Sequence, residues 1–120
     1  MGRRLYIAGP YSANNVIDVL DNMRKGMRVA VEALLECFSP FCPWHDYHFQ
    51  LSLIADEKLS VEQYYRFSMD WLEASDAIYV LNGYETSKGT LAEIKRADEL
   101  SIPVYYQDDI TLKELAKIML

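Results

Sequence analysis

Asp76-Ala77-Ile78-Tyr79-Val80-Leu81-Asn82-Gly83-Tyr84-Glu85-Thr86-Ser87-Lys88-Gly89-Thr90-Leu91-Ala92-Glu93 runs from an apolar segment, through a loop rich in Gly and hydroxyls, into the start of a helix. Ala77 to Leu81 is apolar at every position, the pattern of a strand buried on both faces, and such strands belong to parallel sheets covered by helices on both sides. The helix it feeds spans about Ser87 to Leu100, with Glu93 expected in its first turn. Ile102 to Tyr106, with Pro103 near its start, reads as the next strand, and Thr111 starts a last helix running close to Leu120.

Reading upstream from the same stretch, Leu5 to Ala8 is a short apolar strand closed by Gly9-Pro10. Asn14 or Asn15 caps a long amphipathic helix that runs to about Cys37. Phe38 to Phe41 is a brief second strand stopped by Pro43. Trp44 to Leu59 is irregular or weakly helical. Ser60 caps a helix on which Val61, Tyr65, Ser68 and Leu72 share one face, and Glu62, Gln63, Arg66, Asp70 and Glu73 the opposite one. Strands alternating with helices predict a single α/β domain over residues 1–120. It is a three-layer sandwich with a parallel sheet of four to five strands; right-handed crossovers leave few topologies, of which the strand order 2-1-3-4 is favoured. The switch point then lies between strands 1 and 3, and ligands of such sheets bind beyond the carboxyl ends of the strands there.

Composition narrows the function. A chain of 120 residues with 51% apolar residues supports one core. A formal charge of −6 argues against a nucleic-acid polymer or an anionic membrane as partner. Two cysteines, Cys37 and Cys42, make no disulfide framework, and a reducing cytoplasm is the expected compartment. Met1-Gly2-Arg3-Arg4 leads straight into the first strand, without an apolar segment of signal-peptide or membrane-spanning length, and Tyr6 breaks the N-myristoylation pattern. Cys37, Cys42, His45 and His48 have a spacing that fits no common structural zinc site, so no metal is expected.

Two loops face the predicted crevice. One is Gly9-Pro10-Tyr11-Ser12; the other runs from Asn82-Gly83 to Ser87, Gly89 and Thr90. Ser87 and Gly89 offer a hydroxyl and bare N–H groups to an anion. Thr90-x-x-Glu93 is also a capping-box pattern, and that structural reading stands beside the catalytic one. A helix N-terminus favours an ionised carboxylate and burial opposes it, so a nucleophilic Glu93 needs donors, for which Tyr6, Ser87 and Thr90 are candidates. Pro43-Trp44-His45-Asp46-Tyr47-His48-Phe49 follows the second strand and reads as a pocket wall or lid, with aromatic faces able to stack on a base.

Leu5-Tyr6-Ile7-Ala8-Gly9-Pro10 together with Ser87-x-Gly89-Thr90-x-x-Glu93 resembles the nucleoside 2-deoxyribosyltransferase superfamily, most of all its short, uncharacterised phage and bacterial branch. Asp76 to Leu81 and Ala97 to Pro103 extend the resemblance; Cys42 to about Leu59 departs from it. The resemblance implies a flavodoxin-like fold and cleavage or transfer at the N-glycosidic bond of a nucleoside or nucleoside 5′-monophosphate, with no cofactor and a homo-oligomeric assembly. By the same resemblance Glu93 is the nucleophile that attacks the anomeric carbon, through a glycosyl-enzyme intermediate, and Tyr6 orients it. Ser87 stands where nucleotide hydrolases of the superfamily have a phosphate-touching Ser.

One position departs sharply. Ser68 occupies the place of the family's Asp, eight residues before Asp76. Asp70 is turned away by roughly 200° on the helix and reads as the partner of a solvated ion pair with Arg66. Asp76 precedes its strand and lies roughly 16 Å from the carboxyl edge, at ~3.3 Å per residue. Acid assistance then falls to His45, His48, Asp46 or Glu85. Two other readings stay open: a nucleotide-binding module without turnover, and a structural or interaction subunit. A phosphoacceptor receiver is excluded, because Gly9-Pro10 and Asn82-Gly83 stand where it needs acidic residues. The G-x-G-x-x-G dinucleotide fingerprint is missing too.

Overall fold

A computed structural model describes residues 3–120. Met1 and Gly2, on which the N-terminal reading partly rests, lie outside the described residues. The elements follow one another as β1 (Arg4–Ala8), α1 (Val16–Leu35), β2 (Ser39–Phe41), a 3₁₀ turn (Pro43–Asp46), α2 (Tyr47–Leu51), α3 (Val61–Glu73), β3 (Ala77–Val80), a second 3₁₀ turn (Tyr84–Thr86), α4 (Lys88–Glu99), β4 (Val104–Tyr106) and α5 (Leu112–Met119). The four strands are all parallel in the order β2-β1-β3-β4, a flavodoxin-like arrangement. Of the four to five strands expected, four are present among the described residues.

The strands sort their side chains by the two-residue period of the pleat. Leu5, Ile7, Ala77 and Tyr79 pack on Met23, Val29, Ala30 and Ala33 of α1 and Leu112 and Leu115 of α5. Tyr6, Ala8, Ile78 and Val80 point the other way, onto Met69 and Leu72 of α3 and Ala97 of α4. The amino ends of β1 and β3 are tied by Asp76, which accepts from the backbone N–H of Arg4 at 2.8 Å and from its guanidinium at 3.1 Å. Asp76 therefore serves the end of the sheet opposite the crevice.

Helix ends follow side-chain chemistry. Asn15 caps α1, its side chain accepting from Asp18 N–H at 2.9 Å. Ser60 with Gln63, and Thr111 with Glu114, form reciprocal capping boxes on α3 and α5. Three expectations need correction. First, α1 stops at Leu35, and Cys37 is exposed with φ 72°. It is the left-handed residue just past the helix, two positions beyond the last helical one. Second, the buried positions of α3 are Met69 and Leu72, while Val61 and Tyr65 are exposed. Those two project where the fold leaves open space, so their apolar character does not report on the core. Third, Arg66 and Asp70 form no ion pair; Glu73 instead accepts from Arg96 of α4 at 3.2 Å.

Candidate active site

Beyond the carboxyl ends of β1 and β3 lies a cavity of about 530 Å³, within the range usual for small-molecule sites. Gly9, Tyr11 and Ser12 wall it from the first loop; Thr86, Ser87, Lys88, Gly89, Thr90 and Glu93 from the second; Pro43, Trp44 and Asp46 from the turn after β2; and Val61, Tyr64, Tyr65 and Ser68 from α3. The two loops singled out in the sequence thus share one crevice with Glu93.

Tyr6 is fully buried on β1, stacked on Phe41 with ring centroids 5.3 Å apart, and its hydroxyl donates a hydrogen bond to Glu93 Oε2. Burial pushes the Glu93 carboxyl up to about 7, while the Tyr6 hydrogen bond pulls the other way. Burial first, then the negative charge of Glu93, holds the Tyr6 phenol protonated well above its ordinary range, so Tyr6 is a fixed donor. Ser68 lies beside the same hydroxyl.

Glu93 is not in the first turn of α4. Ser87 is the cap, its Oγ accepting from Thr90 N–H at 3.3 Å and from the Thr90 hydroxyl at 2.8 Å. Thr90 therefore caps nothing, Glu93 lies a turn further in, and the capping-box reading of Thr90 with Glu93 fails. Nor do Ser87 and Thr90 donate to the carboxylate; they bond each other, and Tyr6 alone of the three candidates reaches it. With two donors already pointing at its oxygen, the Ser87 hydroxyl proton remains free for another acceptor. A Cβ added at Gly89 would meet nothing within 4 Å, so the backbone there is open to the cavity.

The segment after β2 divides. Trp44 is only 1% exposed and donates from Nε1 to the Pro10 carbonyl at 3.1 Å, fastening this turn to the first loop. Asp46 accepts from the Tyr11 hydroxyl at 2.9 Å; burial raises its carboxyl above the usual range and the Tyr11 bond opposes this. His45, Tyr47, His48 and Phe49 do not line the cavity and are exposed, so of the expected wall only Pro43, Trp44 and Asp46 serve. Pro10, Asn82 and Gly83 instead line a broader neighbouring cleft of about 1050 Å³ against α1, which Ser12 also borders. Two residues gained importance that motif reading did not give them. Tyr64 faces the cavity with a shielded hydroxyl lacking any partner among the described residues. Gly26 of α1 is the surface against which Trp44 packs; a Cβ there would stand 2.4 Å from the indole.

Fold and site together define a flavodoxin-like α/β domain with a buried, tyrosine-bonded carboxylate at the switch-point crevice. Residues 3–106 match the family model described as domain of unknown function DUF4406, and the chain belongs to that family. Among solved structures it is similar to a 2-deoxyribosyltransferase from the psychrotolerant bacterium Bacillus psychrosaccharolyticus. Identity is 18%, coverage 86% of this chain and 70% of that one, and the TM-score 0.58, a likeness of fold. No curated protein matches. No helix among the described residues is long and apolar enough to cross a membrane.

Proposed function

We propose that this protein cleaves or transfers at the N-glycosidic bond of a nucleoside or nucleoside 5′-monophosphate, with Glu93 as nucleophile. The observation that carries the reading is the Glu93 carboxylate, desolvated, fixed by Tyr6 and opening on a cavity walled by both loops. A carboxylate held by one donor in a poorly hydrated site is pre-oriented to attack an electron-poor carbon. The unspent Ser87 proton and the open backbone at Gly89 suit a phosphate, which favours the monophosphate; Gly9 and Ser12, on the same cavity wall, are assigned to the sugar or phosphate. The similar deoxyribosyltransferase supports the same class of chemistry. Membership of the short phage and bacterial branch, a cytoplasmic location, a homo-oligomeric state and independence from cofactors belong to this reading.

The test is incubation with a panel of deoxynucleosides and deoxynucleoside monophosphates, with free base followed by chromatography. Base release by wild type, and its loss in Glu93→Ala, is the expected result; a variant as fast as wild type refutes the nucleophile. Ser68, in place of the family's Asp, favours a second reading: a module that binds nucleotide without turnover. A nucleotide that raises the melting temperature without base release selects it. At 100 times Kd, binding should add ~2.7 kcal/mol, visible in a domain of this size. Absence of any shift selects a structural or interaction subunit.

A further inference from the structure

Departure of a nucleobase leaves an electron pair on a ring nitrogen, and an unactivated base leaves slowly unless a proton meets that pair. Ser68 has no proton acidic enough to serve. Of the four groups named as substitutes, His45, His48 and Glu85 are exposed and outside the cavity; the His48 ring is turned to the His45 carbonyl, 3.1 Å away. Asp46 and Glu93 are the two carboxyl groups that line the cavity. They reach it from different elements: Glu93 from α4, Asp46 from the turn after β2.

We propose that Asp46, positioned by Tyr11, is the general acid that protonates the departing base and then the general base of the second half-reaction. This rests on the glycosyl-transfer reading of the site. In the first step a Glu93 oxygen bonds to C1′, the C1′–N bond breaks with its electron pair moving to the base, and the Asp46 proton passes to that base. In the second, water or an incoming base attacks C1′, the Glu93–C1′ bond breaks, and the Asp46 carboxylate takes the proton released. Both carboxyl groups end in their starting states.

Three features support the assignment. Trp44, buried and bonded to Pro10, fixes the turn that carries Asp46. The Tyr11 hydroxyl holds one oxygen, Oδ1, at 2.9 Å, leaving Oδ2 to meet a ligand. The partnerless Tyr64 hydroxyl lies in the same corner, close enough to feel the Asp46 charge, and gives a polar base edge a further contact. The titratable groups around Asp46 are Tyr11, Tyr64, Tyr6 and Cys42, with Glu93 and Lys88 on the shared cavity wall. Burial favours the neutral acid.

The experiment compares leaving groups. The four common deoxynucleoside monophosphates are paired with two analogues whose bases leave without acid help: N7-methyl-deoxyguanosine monophosphate for purines and 5-nitro-deoxyuridine monophosphate for pyrimidines. Asp46→Asn should slow the natural substrate by ~10²–10⁴-fold, the usual worth of a general acid, and the matching analogue by under ~10-fold. Glu93→Gln should abolish both. The alkaline fall of the wild-type rate should vanish in Asp46→Asn. Tyr11→Phe, which removes the donor holding the carboxyl down, should alter the pH–rate profile of wild type and leave that of Asp46→Asn unchanged. Equal slowing of both leaving groups, no slowing of either, or an alkaline fall that persists in Asp46→Asn overturns the acid assignment alone. Cleavage that survives Glu93→Gln overturns the nucleophile and leaves Asp46 to be judged by its own ratio. No cleavage of any substrate by wild type removes the glycosyl-transfer reading and the proposal with it.

Discussion

At the scale of the single residue, the decisive competition is at Glu93. Burial favours its neutral form and the Tyr6 hydroxyl favours the anion; burial wins, leaving the group half-ionised at about pH 7. The unfolded chain releases this proton near the ordinary glutamate value. Between that value and about 7 the folded state binds more protons than the unfolded one, so stability falls as pH rises through this window and is level above it. At ~1.36 kcal/mol per pKa unit the loss is roughly 3–4 kcal/mol. Glu93→Gln, a neutral near-isostere, should lack this fall and should be more stable than wild type at pH 8. Urea unfolding of both proteins at pH 5 and pH 8 checks it; identical pH slopes refute the buried-acid account. The same titration requires the rate of base release to rise with pH on the acid side, since only ionised Glu93 attacks.

At the scale of elements, the site depends on how the turn after β2 seats on α1. Trp44 lies flat against Gly26, where even a methyl group would overlap the ring. Gly26→Ala should therefore cost ~1–3 kcal/mol by overpacking and, by tilting the turn that carries Asp46, lower kcat more than it changes the secondary structure. Denaturant midpoints and kinetics of the one variant test both halves. A variant as stable and active as wild type shows that the indole moves aside without cost. This contact also marks the boundary of what the sequence discloses. The strands are legible because β1 from Leu5 onward and all of β3 are apolar, and the helices because Asn15, Ser60 and Thr111 carry capping side chains. The mate of Trp44 is not, because a glycine inside a helix announces a close approach without naming its partner. The cap of α4 stays open in the sequence because Ser87 and Thr90 are both hydroxyl residues three apart, and only geometry decides which oxygen accepts.

At the scale of the whole molecule, the sheet order brings four distant segments to one crevice, and alternation and handedness narrow the topologies to a few that include it. They do not decide which side chains enter the crevice. His45 and Asp46 are neighbours in the chain, yet the 3₁₀ turn sends one to solvent and the other to the cavity. The exposed face of α3 remains to be explained. Val61 is 84% exposed at the cavity wall, and further along the helix Trp71 is 52% exposed, stacked on Phe41 at 5.8 Å. A second copy of the chain packed there would bury this apolar surface, stabilising the pair by roughly 25 cal/mol per Å² of apolar area removed from water, and would cover the exposed Val61 and Tyr65 at the cavity wall. Sedimentation should then give twice the monomer mass for wild type. Trp71→Glu, which sets a charge in that face, should give the monomer mass and a raised KM. Wild-type activity per chain should also fall on dilution as the pair dissociates. A wild-type monomer with undiminished activity at all concentrations would mean that the cavity is complete within one chain, and that α3 presents its aromatic face to water or to a different partner.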